Sequence, residues 1–382
     1  MSSRRAIRTV AVIAALGLGV ISGCGGGTSS DAPVAASSAN SVTPDAAKAD
    51  LAEYTKRPTT IPLTTPVSKP IPTGKKIAYI SCGTAAICSA IGQVAGEAAS
   101  VLGWTVETYP TDGTADKVRN AWETVLRNAP DGIIYTATPP TMIGKYVEEA
   151  AAKGIPVAAC CVVDDKGVSV PPGAGLVYNI GSNQAEVRTP VWISQILAAA
   201  GTAPADVVYV YPDYATTKHT GEVFIQQLEA ACAECSGDML PVQLTELSKT
   251  PQAVVSYLRS HPKVKYVVQG STNATDAGLT AAIKAAGLTD IFVTGAAPGA
   301  TTLDEIAAGT EAGVINFPLY EYYYGALDAI ARTIVGDQVQ PAFTPDAWLL
   351  TKDNVGDVPS GTVYFPQVVD IRDQFAKLWG KV

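Results

Sequence analysis

The sequence predicts an α/β fold built from two lobes, each a doubly wound parallel sheet. Short apolar segments alternate with amphipathic helical segments from about residue 75 onward. The alternation runs through the chain twice. Because strands of a parallel sheet are joined by crossover helices, this alternation is typical of βαβ units. A length of 382 residues is sufficient for two such cores.

The first series contains four predicted strands and three predicted helices. In chain order these are strand 76–82, helix 86–102, strand 104–109, helix 115–128, strand 131–137, helix 140–153 and strand 155–161. Gly103 and Gly154 follow two of the helices. Glycine is favoured there because the chain often leaves a helix through left-handed backbone.

The second series repeats the alternation and ends in a long amphipathic helix. Its segments are helix 185–200, strand 206–211, helix 217–232, strand 240–247, helix 250–261, strand 264–270, helix 273–286, strand 291–295, helix 302–308, strand 312–316 and helix 320–335. A further short helix is predicted over 370–378. Ligands of such folds bind beyond the carboxyl ends of the strands, and a cleft between two lobes favours binding.

The N-terminus carries a targeting signal. Arg4, Arg5 and Arg8 precede an apolar run over 10–21, which is too short to cross a bilayer and is typical of a signal peptide. The run ends in Ile-Ser-Gly followed by Cys24, which resembles a bacterial lipobox. This resemblance implies a signal peptide over 1–23 and a lipid on the Cys24 thiol. The alternative is an ordinary secretory signal with an incidental cysteine.

Residues 24–74 are rich in Ala, Ser, Thr and Pro and show no core-forming periodicity. They predict a lipidated flexible tether. Within it, Thr43, Pro44 and Asp45 favour the start of a short helix that runs to about residue 54.

The composition excludes several functions. The net charge is −8, so the chain has no basic excess with which to bind nucleic acid. It contains only two histidines and no HExxH motif, which argues against a histidine-built metal site. Neither GxSxG nor a P-loop motif is present. We therefore expect no enzymatic activity, no cofactor and no metal.

A series of motifs indicates a more specific class of protein. GKKIAYIS, GEAASVLGWTVETY, PDGIIYTATPP and AAAKGIPVAACC are followed by YNIGSN, GEVFIQQLEA, HPKVKYVVQGSTNATDAGLTAAIKAAG and IFVTGAA. In order and spacing this series resembles the type 1 periplasmic solute-binding proteins of bacterial ABC importers, in particular the ribose- and sugar-binding group. The resemblance covers about residues 75–345. The chain lacks the N-terminal helix-turn-helix of repressors that share these lobes.

The resemblance implies a hinge of three chain crossings, near 181–182, 316–317 and 341–345. Lobe one would then comprise residues 75–181 plus 317–343. Lobe two would comprise residues 182–316 plus 344–382.

The resemblance also implies ligand-contacting positions, and several depart from the sugar-binding pattern. The two stacking aromatic positions fall at Ser89 and Ala90, and the Asp-Arg pair after the fourth strand falls at Cys161 and Val162. The position of a further arginine falls near Thr220, beside His219, and an aspartate position falls at Ala297. Asn183, Asn316 and either Ser271 or Asn273 preserve uncharged polar groups.

These departures predict a ligand that is less polar than a simple hexose. The expected ligand-binding residues are Ser89, Thr138, Cys161, Asn183, Tyr214, His219, Thr220, Ser271, Asn273, Asn316 and Phe317. Some of them have alternative structural roles. Asn183 and Asn273 are equally good candidates for helix N-caps, and His219 for a polar residue at the cleft rim.

Apart from Cys24, the cysteines form three close pairs in the sequence: Cys82 with Cys88, Cys160 with Cys161, and Cys232 with Cys235. Outside the cytoplasm such an even set favours disulfides. We expect local bridges in the first and last pairs. For the middle pair the alternatives are a vicinal disulfide or a cross-link to the first pair. All six could also be reduced, buried residues.

Taken together, the sequence predicts a lipid-anchored extracytoplasmic receptor that captures a small organic ligand and delivers it to an ABC permease and its ATPase subunits. A monomer at the outer face of the cell membrane is expected. The alternatives are a receptor that passes ligand state to a membrane signalling protein, and a true sugar binder.

Overall fold

Two parallel sheets organise the chain, and a computed structural model describes it over residues 42–359 and 362–382. The elements that precede the first passage between the sheets are α1 (Pro44–Tyr54), β1 (Lys76–Ile80), α2 (Ala86–Leu102), β2 (Thr105–Tyr109), α3 (Ala115–Asn128), β3 (Gly132–Thr136), α4 (Pro140–Ala152), β4 (Val157–Cys160) and β5 (Leu176–Ile180). Strand β5 was not predicted as a separate element.

The elements that follow are α5 (Gln184–Ala200), β6 (Asp206–Pro212), α6 (Ala215–Ala231), β7 (Ser236–Val242), α7 (Thr250–Ser260), β8 (Tyr266–Gln269), α8 (Asn273–Asp276), α9 (Leu279–Ala285), β9 (Phe292–Ala296), α10 (Ala300–Ala308), β10 (Gly313–Ile315), α11 (Leu319–Val335), β11 (Leu349–Leu350) and α12 (Ile371–Leu378). Gly278, at φ +95°, separates α8 from α9, so the single helix predicted there is interrupted.

The α/β prediction with two parallel-sheet lobes is confirmed. Sheet one has the order β2-β1-β3-β4-β5, and sheet two has the order β11-β10-β9-β8-β6-β7. All pairings are parallel except that of β11 with β10. The predicted strand 240–247 lies earlier, as β7, because Cys235 is buried at its start and a 3₁₀ turn over Leu244–Lys249 follows it.

Each sheet is covered by helices on both faces, as doubly wound sheets require. In lobe one, α2 and α11 pack on one face, and α3 and α4 pack on the other. In lobe two, α5 and α6 cover one face, and α7 and α9 cover the other. Within the described residues, no helix is both long enough and apolar enough to cross a membrane.

Between β1 and β11 the chain passes between the lobes three times. It leaves sheet one after β5 and enters α5, returns between β10 and α11, and passes back between α11 and β11. These passages form the hinge. Near the first of them, Gly181 has φ +72° and lies against the Tyr322 ring, so that an added Cβ would lie 2.6 Å from it. A side chain at position 181 would therefore be strained and would displace α11.

The tail does not belong entirely to lobe two, as the predicted division over 344–382 had it. Trp348 and Phe365 lie in an apolar cluster of lobe two with Val314. The segment from Val368 to Trp379 instead packs in the core of lobe one. Helix α12 is amphipathic, with Ile371, Phe375 and Leu378 buried on one stripe, and α2 and α11 supply the surface that covers this stripe.

The predicted flexible tether over 24–74 also ends earlier than expected. The short helix predicted after Thr43 is present as α1, and the Thr43 hydroxyl accepts a hydrogen bond from the Ala46 N–H at 3.2 Å. Ala47 on α1 is fully buried against α5 of lobe two. Ile61 and Ile71 then enter the core of lobe one. The segment from 42 to 74 is therefore packed onto both lobes; it is called the N-terminal arm below.

A buried ion pair joins the N-terminal arm to lobe one. Arg332 Nε donates to Asp328 Oδ2 at 2.7 Å on α11, with side-chain exposures of 1% and 3%. Arg332 Nη2 donates to the Thr65 carbonyl at 2.6 Å. The Trp379 indole N–H donates to Asp328 Oδ1 at 2.9 Å. Because each charge has partners beyond the other, the pair is held without an unsatisfied buried charge on Asp328.

The packing of the arm is testable with a matched pair of variants on α1. Ala47→Glu places a carboxylate against α5 and is expected to lower the free energy of unfolding by about 1–3 kcal/mol. Ala49→Glu alters an exposed position of the same helix and should leave stability within about 0.5 kcal/mol of wild type. Chemical denaturation and amide hydrogen exchange of α1 measure both. Equal stability of the two variants would show that α1 does not dock on α5.

Candidate functional site in the cleft between the lobes

The carboxyl ends of the parallel strands and the hinge define a cleft between the lobes. The predicted site residues that follow strand ends are Thr138 after β3, Cys161 after β4, Tyr214 after β6, Ser271 after β8 and Asn316 after β10. This arrangement follows from topology, because every strand of a parallel sheet ends at the same edge. The structure thus places these five residues on loops at the strand edges that border the hinge.

The lobes touch across this cleft through the loop between β4 and β5. Gly167 in this loop lies against α6, so that an added Cβ would stand 2.3 Å from His219 Cβ. Gly167 has φ +80°, which a residue with a side chain adopts only with strain. Ser169 Oγ and Ser182 Oγ are 2.6 Å apart. His219 is therefore a half-buried residue at the contact between the lobes.

Asp164 shapes the same loop. Its Oδ1 accepts hydrogen bonds from the N–H groups of Lys166 at 2.8 Å and Val168 at 2.9 Å. The hydrogen bond from the Val168 N–H is the main reason that the pKa of the Asp164 carboxyl lies below its usual value. This turn presents Val168 to solvent, with 53% of its surface exposed.

Two predicted asparagines connect hinge segments. Asn183 Nδ2 donates to Thr344 Oγ1 at 2.7 Å, which joins the first and third passages between the lobes. Asn183 occupies the N-cap position of α5, but its side chain makes no capping hydrogen bond. Asn316 is buried, and its Nδ2 donates to Gln367 Oε1 at 3.4 Å. Both amides therefore lie where a change in the angle between the lobes would alter their contacts.

Other predicted positions are engaged with their own lobe. Thr220 is buried and its hydroxyl donates to the Thr216 carbonyl at 2.8 Å. Thr138 Oγ1 donates to the Thr136 carbonyl at 3.2 Å. Ser89 is exposed in the first turn of α2. Thr220 and Thr138 are thus oriented by local hydrogen bonds, which a ligand would have to share or replace.

Three predicted residues after β8 and β10 are partly exposed. Ser271 and Asn273 are half-buried, and Thr272 rather than Asn273 is the N-cap residue of α8. Phe317 is also half-buried and packs edge-to-face on Tyr322, with ring centroids 5.3 Å apart. Tyr322 itself belongs to the core of lobe one.

Aromatic surface is available on the lobe-two side. Tyr214 exposes 41% of its surface, and Val168 is another large apolar side chain that is exposed among the described residues. Tyr209 and Tyr211 on β6 stack with centroids 5.7 Å apart. A ligand with an apolar or aromatic portion would therefore find ring contact at Tyr214.

Arg188 on α5 is a buried charged residue near the hinge that the sequence analysis did not single out. It is 6% exposed, and its Nη1 donates to the Gly270 carbonyl at 3.1 Å, at the end of β8. Among the described residues it belongs to no salt bridge. The available signal was its register, because positions 184, 188 and 191 all lie on the buried face of α5.

The guanidinium of Arg188 lies among phenol groups. Burial raises the pKa values of Tyr209, Tyr214 and Tyr322, and the positive charge of Arg188 partly offsets this effect at all three. Tyr214 exposes 41% of its surface and lies near enough to Arg188 for the guanidinium charge to offset part of the rise that burial causes in the pKa of its hydroxyl. Tyr209 Oη is buried and has no hydrogen-bond partner among the described residues.

All three cysteine pairs lie with their sulfur atoms at disulfide distance: Cys82 with Cys88, Cys160 with Cys161, and Cys232 with Cys235. The sulfur atoms of the first two pairs are partnered within each pair, so the alternative cross-link between these pairs is not formed in this structure. Cys161 is 8% exposed, has φ +62° and adjoins the cleft at the end of β4.

The chain belongs to the family described as the periplasmic binding protein domain, whose model matches residues 77–338. Members of this family are two-lobed proteins that bind small ligands outside the cytoplasm, interact with ABC permeases and are not enzymes. No curated protein matches the chain.

Several solved structures share this fold. An ABC sugar transporter subunit from Rhodobacter sphaeroides 2.4.1 is 21% identical with a TM-score of 0.63, and the match covers 74% of this chain and 99% of the other. A periplasmic ribose ABC transporter protein from Conexibacter woesei is 17% identical with a TM-score of 0.65, covering 77% and 97%. A solute-binding protein from Agrobacterium vitis with bound allitol is 18% identical with a TM-score of 0.63, covering 75% and 98%.

Two buried carboxyls outside the cleft predict a pH dependence of stability. Burial raises the pKa of Glu321 on α11 to about 7 and that of Glu311 before β10 to about 8, from a usual value of 4.5. The folded chain thus binds these protons more tightly than the unfolded chain. The stability that this contributes is fully present below about pH 4.5 and is lost as the pH rises to about 7–8.

Glu321→Gln should therefore flatten the fall in stability between pH 5 and pH 8, by up to about 3 kcal/mol for a fully buried group. Glutamine preserves the acceptor for the Val368 N–H, which bonds Glu321 Oε1 at 2.8 Å. Glu229→Gln on the exposed face of α6 serves as the control. Urea denaturation at several pH values measures the effect, and a Glu321→Gln profile parallel to wild type would contradict the assignment.

Proposed function

We propose that this protein is a lipid-anchored extracytoplasmic solute-binding protein that captures a small organic ligand between its lobes and delivers it to an ABC permease. The observation that carries the proposal is the contact across the cleft between Gly167 and His219, combined with polar hinge residues such as Asn183. Reversible capture needs two lobes that separate and close around a ligand, and a few oriented polar groups.

The ligand is proposed to be less polar than a simple hexose. Ser89, Cys161 and Ala297 occupy positions where sugar binders of this kind carry aromatic or acidic side chains. Tyr214 after β6 and Val168 on the loop that contacts α6 are both exposed, and they offer apolar surface near the strand ends. Hydrogen bonds from neutral amides suit a ligand with few hydroxyl groups. The ligand-binding residues expected from the sequence are proposed to line this site.

A true sugar binder is the second candidate. It is favoured by the solved structure with bound allitol, although a likeness at 18% identity establishes the fold and not the ligand. The two candidates differ in the stacking aromatics and carboxylates that a polyol requires, which the cleft of this chain lacks at Ser89, Cys161 and Ala297.

The membrane anchor is proposed on Cys24, following removal of residues 1–23. These residues and Cys24 lie outside the described part of the chain, so the lipobox resemblance alone supports the anchor. We also propose that the six cysteines of the folded part are paired as three disulfides, which suits an extracytoplasmic protein. The structure supports the local pairing through the short sulfur-to-sulfur separations.

Ligand titration tests the binding function. Calorimetry with ribose, glucose, allitol, 4-hydroxybenzoate and 2-hydroxyisovalerate is expected to reveal saturable micromolar binding of a less hydroxylated compound. Asn183→Ala and Asn316→Ala should each weaken this binding about tenfold, because each removes an oriented amide at the hinge. Asn120→Ala, exposed on α3, is the control. Unchanged affinity in both hinge variants would disprove the pocket assignment, and no binding by the folded protein would count against the function.

Intact mass spectrometry of membrane-extracted protein tests the anchor and the thiols together. The expected mass is that of a chain beginning at Cys24 with covalent lipid, and a Cys24→Ser variant should be released from the membrane. Iodoacetamide added to the denatured, unreduced protein should add no mass, whereas six alkylations are expected after reduction. Six alkylations before reduction would rule out the disulfides, and an unlipidated Cys24 would rule out the anchor.

A further inference from the structure

Arg188 is a buried cation whose charge the described protein does not balance. A guanidinium has five N–H donors, and a single hydrogen bond, to the Gly270 carbonyl, is formed within the described residues. Desolvating a charge without a counter-ion costs several kcal/mol, so buried arginines normally have an anionic partner. The buried pair of Arg332 and Asp328 in lobe one shows the usual solution within this same chain.

A buried polar group near Arg188 lacks a hydrogen-bond partner among the described residues. The Tyr209 hydroxyl is buried without a partner and lies next to Gly270, where an added Cβ would stand 2.4 Å from it. Gln184, one turn before Arg188 on α5, and Asn316 at the hinge border the same narrow void as Arg188 and Tyr322. A phenol, amides and a guanidinium therefore converge at the hinge end of the cleft.

We propose that Arg188 binds the carboxylate of the ligand, and that the ligand class is a small monocarboxylic acid with an apolar or aromatic body. This inference rests on the proposed solute-binding function and names its ligand. A carboxylate supplies the single negative charge that Arg188 lacks and matches the planar fork of the guanidinium with two parallel hydrogen bonds. A sugar hydroxyl would bond to the fork but would leave its charge unbalanced.

The apolar part of the ligand has a place on the same side. Tyr214 exposes 41% of its surface, and the charge of Arg188 acts on its hydroxyl by offsetting part of the rise that burial causes in the pKa of that group. The void bordered by Arg188 measures about 10 Å³, which is less than an organic acid requires. Binding therefore requires the lobes to move apart from the arrangement in this structure, and closure onto the acid follows.

One protein carboxylate could compete for this role. Asp346 borders the same void, but its side chain is exposed and it forms no salt bridge with Arg188. If closure brought Asp346 to Arg188, the arginine would be a structural residue. An Asp346→Asn variant separates the two roles, because it would destabilise the ligand-free protein only in the structural case.

The test uses pairs of probes with the same body, one carrying a carboxylate and the other a neutral primary amide. Benzoate, 4-hydroxybenzoate and isovalerate are titrated calorimetrically into the purified protein beside their primary amides, with ribose and allitol in parallel. At least one acid is expected to bind in the micromolar range and at least 100-fold more tightly than its amide. Arg188→Gln should weaken that acid about 100-fold, Arg188→Lys less so, and Arg259→Gln, exposed on α7, not at all.

The melting temperatures of the ligand-free variants distinguish a ligand-binding role of Arg188 from a structural one. Arg188→Gln and Arg188→Met are expected to melt at or above the wild-type temperature, because each removes an unbalanced buried charge. A lower melting temperature for both of them and for Asp346→Asn would overturn the proposal in favour of a structural pair.

The binding results distinguish two kinds of failure. Equal affinity for an acid and its amide, binding of sugars alone, or full affinity in Arg188→Gln would overturn the carboxylate proposal and leave the solute-binding function standing. Absence of binding by any acid also overturns it. Absence of binding by every probe, sugars included, would in addition count against the proposed function.

Discussion

Parallel strand pairing is the constraint on which the rest of this structure depends. A parallel strand returns to its sheet only through a crossover, so all strand ends of one kind lie on one edge. In both sheets that edge is where the loops carrying Thr138, Cys161, Tyr214 and Ser271 emerge. The contact of Gly167 with α6 shows that these edges meet. The ligand cleft is thus a consequence of topology, and its chemistry is set by the loops.

The segments outside the two sheets add to the hinge. The N-terminal arm lies on lobe two through α1 and on lobe one through Ile61 and Ile71, while the tail returns to lobe one as α12. The buried ion pair of Asp328 and Arg332 stabilises this packing. Arg332 donates a hydrogen bond to the Thr65 carbonyl of the arm, and Asp328 accepts one from the Trp379 indole N–H. Because the N-terminal arm contacts both lobes, a change in the angle between the lobes must also shift or strain the arm.

Buried charges in the described structure fall into two kinds. Asp328 and Arg332 balance each other and contribute to stability through additional hydrogen bonds. Arg188, Glu321 and Glu311 lie buried outside any salt bridge of the described residues. The carboxyl groups of Glu321 and Glu311 avoid the cost of burying a negative charge by binding a proton, as their raised pKa values indicate. An arginine cannot do so, because its pKa lies far above neutrality. A buried arginine at a cleft therefore indicates a ligand anion more specifically than a buried glutamate does.

The sequence by itself determined the α/β class, most element positions and the two-lobed family, because apolar periodicity and motif order are local properties of the chain. It also indicated α1, through Thr43 and Pro44, and local pairing of Cys82 with Cys88 and of Cys232 with Cys235, whereas it left the partner of Cys160 and Cys161 open. Only the tertiary structure decided the packing of the N-terminal arm, the return of α12 to lobe one and the position of Arg188. The proline-rich arm and the short amphipathic helix α12 bury their apolar residues against elements that are distant in the sequence. A local sequence pattern does not indicate which elements these are. The balance of a buried charge likewise depends on which groups the fold brings within bonding distance.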